Sequence, residues 1–190
     1  MDSYHVALFL HIMTLVVAAA ATAVTRLAVG RRARARTVSE VLDWHMVLIS
    51  GARVFPICLV AFVVTGGYML SVTHVNPWST GFVAAGLAGV VLLLASGTYL
   101  GIKAKAFRAM LEQIVEKNGP DHPAPRLAPP RLVAMLPAVN TFVALAVMFD
   151  MVMRPTSVPV AFGIVALGLV LGAVLAMRDP APAAQRASAA

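Results

Sequence analysis

Apolar residues along this chain gather into runs as long as a bilayer is thick. A hydrocarbon core of about 30 Å takes about 20 residues of α-helix to cross. Runs of that kind cover about 4–29, 44–71, 81–102, 132–153 and 160–177. The third does not stop where its charges begin. In "KAKAFRAMLEQIVEKN", 103–118, Phe107, Met110, Leu111, Ile114 and Val115 recur at helical spacing with charges between them. The pattern predicts that this span continues beyond the bilayer as a cytoplasmic amphipathic helix over 103–118. "GPDHPAPRLAPPR" then ends it, because proline lacks an N–H and clashes with the preceding turn. "GRRARART", "THVNPWST" and "RPTSVP" supply the other connections. The last residues, 178–190, have the composition of a flexible tail. The expected fold is all-α: a single polytopic membrane helical bundle, 1–177, with five transmembrane helices and no internal repeat.

Composition agrees. Of 190 residues, 60% are apolar and 12% charged, against about half and a quarter in soluble domains. The net charge of +7 would suit nucleic acid, but its distribution assigns it another purpose. Thirteen of the 15 lysines and arginines fall after the first span, between the third and fourth, or after the fifth. Arg154 alone lies in a connection on the other side, and Arg53 lies inside a span. Under the positive-inside rule this predicts an outside N-terminus and a cytoplasmic C-terminus, which five crossings also require. The chain reads as a multi-pass protein of the inner (cytoplasmic) membrane, with attraction to anionic lipid as a secondary effect. Nucleic-acid binding is not expected, since no aromatic-interleaved basic surface accompanies the charge. Asp2 precedes the first run and Arg26 and Arg31 follow it, the reverse of a cleavable signal. Tyr4 and Trp78 fit an outer aromatic belt, Trp44 and Tyr99 an inner one. Gly97/Gly101 and Gly168/Gly172 have the GxxxG interval that lets helix backbones approach. Cys58, the single cysteine, can form no intrachain disulfide.

Ionisable residues inside a membrane are functional candidates by default. Arg53 costs roughly 2.5–3.5 kcal/mol on insertion scales. It lies about 13 Å along its helix from Trp44, and Asn140 about 12 Å from Leu132, so the two could share a depth. Either Arg53 snorkels to carbonyls or Asn140, or it anchors an anion such as a haem propionate or lipid phosphate. His11 lies about 10 Å inward from Tyr4. It is either a neutral imidazole bonded to a neighbouring helix or a haem or metal ligand. Met13 sits about 200° around the helix from it, so the first span offers no ligand pair. Outer span ends carry Met69, His74, Met148, Asp150, Met151 and Met153. Thioether and imidazole suit copper(I), and a His–Met pair can hold haem iron. Alternatively these methionines fill core gaps, and Asp150 with Arg154 forms an i,i+4 pair at a helix end. "TGGY", 65–68, reads as a close-packing or kink feature. His45 and His122 fall in cytoplasmic interface or loop without ligand spacing. No HExxH, CxxC or phosphate-cradling glycine loop is present.

"YHVALFLHIMTLVV", "RVFP", "TGGYM" and "NPWSTGFVAAGLAG" resemble an uncharacterised bacterial family of small integral membrane proteins. That family distantly resembles the copper-resistance D membrane proteins and the membrane-bound, haem-containing protoporphyrinogen oxidase. The likeness covers about 4–105. It implies a helical bundle whose first-span histidine, His11 here, is a haem or metal ligand. The oxidase family also uses an intramembrane lysine, and no lysine lies within any predicted span here.

Two functions follow as expectations. The first is a redox or metal-handling protein binding b-type haem or copper on its outer half. For haem the site residues are His11, Arg53 and Met148; for copper they are His11, Met69, Met148 and Met151. The second is a non-catalytic structural subunit of a larger membrane complex or homo-oligomer, with glycine faces and the amphipathic helix as docking surfaces. A transporter is less favoured, because paired broken helices and inverted repeats are missing.

Overall fold

A computed structural model describes residues 2–74, 80–125 and 129–178. Trp78, Arg126 and the tail beyond Arg178 lie outside the described residues. Six helices carry the fold: α1 (Ser3–Arg32), α2 (Val38–Ala52), α3 (Val54–Thr73), α4 (Gly81–Asn118), α5 (Arg131–Met153) and α6 (Val158–Arg178). No strand occurs among the described residues; Thr37 and Pro123 form one isolated bridge. Taking α2 and α3 as one element, five helices are long and apolar enough to cross a membrane. In each, only 6–22% of the most apolar 18-residue window is buried within the chain. Side chains such as Ile57 (71% exposed) and Val152 (79%) present hydrocarbon outward. In water that surface would oppose folding; a lipid environment covers it. The chain is a multi-pass helical membrane protein.

The second span differs from expectation in two ways. It starts at Val38, not near Trp44, because Thr37 caps it: the Thr37 side chain accepts from Glu40 N–H at 3.3 Å, and Glu40 Oε2 accepts from Arg36 N–H at 2.7 Å. That is a variant of the capping box. The span is also interrupted at Arg53, where α2 ends. Pro56 explains the break, since it has no N–H for the Ala52 carbonyl and its ring crowds that carbonyl. The third span behaves as the pattern predicts. α4 runs unbroken for 38 residues, about 57 Å, well beyond one hydrocarbon thickness. It ends where Gly119 adopts φ 86° and its N–H returns to the Val115 carbonyl at 2.9 Å.

The contacts divide the chain into two compact units. The first comprises 1–72 and 101–127, so α1, α2, α3 and the second half of α4. Here α1 packs on α2 with Gly51 close to Val24 and Thr25. A small core of Val38, Val41 and Leu111, flanked by Phe107, Met110 and Ile114, seats α2 against the amphipathic half of α4. The segment after α4 is stitched to the same place: Val38 N–H donates to the His122 carbonyl (3.0 Å) and Ala124 N–H to the Arg36 carbonyl (2.8 Å).

The second unit comprises 73–100 and 128–190, so the first half of α4 with α5 and α6. Its core is Ala85, Val143, Ala161 and Val165. Gly168 and Gly172 let α6 lie directly on α5. A Cβ at Gly168 would come 2.8 Å from the Phe142 carbonyl oxygen, and one at Gly172 would come 2.6 Å from Val139 Cα.

Candidate functional site

In the first unit the site is built on facing turns of α1 and α3. His11 Nδ1 lies 2.8 Å from Thr65 Oγ1. Thr65 has a single hydroxyl proton, and its Oγ1 donates to the Ala61 carbonyl one turn back at 2.6 Å. The oxygen facing His11 is therefore an acceptor, and the imidazole donates Nδ1–H to it. In the neutral ring Nε2 then carries a lone pair. The Phe62 ring meets the imidazole edge-on at 4.9 Å between centroids. Gly66 stands beside it, where a Cβ would lie 3.6 Å from His11 Cε1, an ordinary contact.

Within "TGGY", Gly66 is the glycine that meets α1, through His11. α3 is continuous through it, and nothing lies within 4 Å of a Cβ built at Gly67. Thr65 is its chemically important member, as the residue that fixes the tautomer of His11. Beside this pair an apolar groove runs between α1 and α3, lined by Leu10, Met13 and Val17 on one side and Ile57, Val60 and Val64 on the other.

Arg53 lies at the α2–α3 break, and its side chain is exposed. Its backbone N–H caps α2 through the Ile49 carbonyl at 3.1 Å. Asn140, the partner expected for it, is engaged in the other unit, where Ser96 Oγ donates to Asn140 Oδ1 at 2.8 Å. Of the candidate thioethers, Met69 belongs to the first unit, one turn along α3 from Thr65 and on nearly the same face. Met148 and Met151 belong to the second. Met151 is 38% exposed, with its methyl 2.5 Å from a Cβ built at Gly86. Among the described residues, no three His, Cys, Asp or Glu side chains gather as a metal-holding group. A metal here would depend on imidazole and thioether donors.

Two further polar positions emerge. His45 is 1% exposed. Arg32 Nη1 donates to its Nδ1 at 3.0 Å, and its own Nε2–H donates to the Ala104 carbonyl at 2.9 Å. Phe107 packs edge-on against the imidazole at 5.1 Å, and the Arg32 guanidinium lies over the same ring at 5.2 Å. His45 therefore ties α1, α2 and α4 together; it is not a loop residue. Val38, Val41 and His45 repeat at helical spacing on one face, and that periodicity was the signal for it.

Asp150 is the other. It is fully buried, and neither carboxylate oxygen has a hydrogen-bond partner among the described residues. The expected pair with Arg154 does not form. Arg154 leaves the helix in the left-handed conformation, φ 49° and ψ 52°, and returns only its N–H to the Asp150 carbonyl, at 2.8 Å. Comparison with protein-family models, curated proteins and solved structures finds no match to this chain.

Proposed function

We propose that this is a small protein of the cytoplasmic membrane that binds b-type haem or copper on its outer half through His11, in a redox or metal-handling role. One observation carries the reading: His11 Nδ1 lies 2.8 Å from Thr65 Oγ1, itself 2.6 Å from the Ala61 carbonyl, an arrangement that assigns the Nδ1 proton to the imidazole and leaves Nε2 as the lone-pair donor. Ligating histidines are characteristically held this way, with the second ring nitrogen donating to a neighbour. Of the methionines proposed as ligands, Met69 is the one in the same unit, and a His–Met pair suits haem iron or copper(I). Met148 and Met151, in the second unit, are further thioethers that the charge pattern assigns to outer span ends. Arg53 serves as the anion anchor in the haem form. The side assignments rest on the one-sided charge, which puts the N-terminus outside and the C-terminus in the cytoplasm. The resemblance to the copper-resistance D proteins and the haem-containing oxidase family agrees with this ligand.

An absorbance spectrum and metal analysis of protein purified from haem- and copper-replete cells test the proposal. A haem Soret band or stoichiometric copper is expected, and His11→Ala should lose it while still folding. A colourless, metal-free wild-type protein contradicts the reading.

A second reading, an accessory subunit of a larger membrane assembly, is favoured by α4. Gly97 and Gly101 are exposed there, with nothing within 4 Å of a Cβ built at either. Among the described residues, neither glycine has a neighbour at the position a close-packed helix would take. Native mass measurement after gentle solubilisation tests it, and a lone monomer speaks against it.

A further inference from the structure

We propose that Asp150 is a proton-binding site, carrying its carboxyl as a neutral acid at neutral pH. α5 turns Val143, Ala146 and Asp150 to one buried face. The carboxyl has no exposed surface and no hydrogen-bond partner among the described residues. Among the described residues of this unit, nothing that could balance a negative charge is packed against it. α6 meets this face of α5 through Gly168, close to Ala146, and α4 meets the helix through Gly86 and Gly89, against Met151 and Val147. From Gly81 to Thr98, α4 has no ionisable side chain, and α6 has none before Arg178. On α5 itself Asp150 is the one ionisable residue between Arg131 and Arg154. Arg154 turns away at its left-handed position, and its side chain is exposed. His74 is exposed as well, and residues 75–79, "VNPWS", bring no ionisable group by sequence.

An ionised carboxylate needs donors, and an unpaired one in an apolar interior is strongly disfavoured. A metal cation would need several oxygen ligands around it, and no acidic cluster is present among the described residues. A proton is the cation that needs only the carboxylate. Uptake is a single balanced step: the Asp150 carboxylate and one proton form the carboxylic acid, with no other reactant. Releasing that proton creates an uncompensated charge at the seam of α4, α5 and α6. The protonation state of Asp150 and the packing of that seam are therefore linked.

Infrared spectroscopy of the full chain in lipid, with side-chain 13C-labelled aspartate, tests this directly. At pH 7 a protonated-carboxyl C=O band should appear, shift on 13C labelling, and vanish in Asp150→Asn. That variant, an isostere of the neutral acid, should melt with the wild type. Should Asp150→Asn fail to fold, the 13C shift in wild-type protein still decides, because the other aspartates with described side chains (Asp2, Asp43 and Asp121) are exposed. Absence of a 13C-sensitive protonated band at pH 7, or its persistence in Asp150→Asn, overturns the proposal.

Discussion

At the residue scale, the ligand role proposed for His11 turns on one hydrogen bond. An imidazole that merely satisfied a neighbouring helix would need only a partner. His11 has a partner that accepts, since Thr65 has already committed its proton to the Ala61 carbonyl. Thr65→Val keeps the shape of the side chain and removes the acceptor. Loss of such a supporting bond typically weakens metal affinity by about 10–100-fold. We expect cofactor retention through dialysis to fall by that order while the helical content stays unchanged; full retention would assign Thr65 a packing role only. The sequence made His11 legible, because an imidazole in an apolar run stands out. Thr65 was not legible in the same way: a threonine in a membrane helix ordinarily bonds its own preceding turn, and only the fold brings α1 alongside it. Asp150 was read as half of an ion pair with Arg154. Its isolation depends on the left-handed exit at Arg154, a backbone detail that residue spacing does not encode.

At the element scale, two identical spacings prove to differ. Gly97/Gly101 and Gly168/Gly172 share the same interval, yet a Cβ is free of contacts at the first pair and collides with α5 backbone at the second. Overpacking a well-filled interface costs about 1–3 kcal/mol. Gly168→Leu should therefore lower the melting temperature in detergent markedly. Gly97→Ala should leave it unchanged or raise it slightly, since alanine exceeds glycine in helix propensity by up to about 1 kcal/mol. Equal effects at the two sites would contradict the assignment of α6 to α5. The periodicity of 103–118 foretold that α4 continues unbroken to Asn118 and which of its residues pack on α2, because an amphipathic repeat records what packs against it. The true start of the second span escaped the hydropathy pattern, since Val38 to Asp43 is not an apolar run. Thr37 and Glu40, three residues apart, carried that signal in capping chemistry instead.

At the scale of the whole molecule, hydropathy and charge are the terms that fix the architecture. Five long apolar elements leave most of their surface uncovered by the chain itself, and lipid is the surrounding that tolerates this. Basic residues collect at 26–36, at 103–131 and beyond 177, and the proposed orientation rests on that distribution. The five apolar helices were legible, because the length and apolarity that make a spanning helix are local properties. The pairing of helices within each unit was not, because it depends on glycine contacts and single hydrogen bonds. The depths assigned to His11 and Arg53, and so the proposed site, all rest on the odd number of crossings. Single cysteines placed by Ser3→Cys or Ser188→Cys in a Cys58→Ala background, probed in intact cells with a membrane-impermeant maleimide, measure it. The account predicts labelling at position 3 and none at 188 until the membrane is permeabilised; labelling of both positions, or of neither, would contradict it.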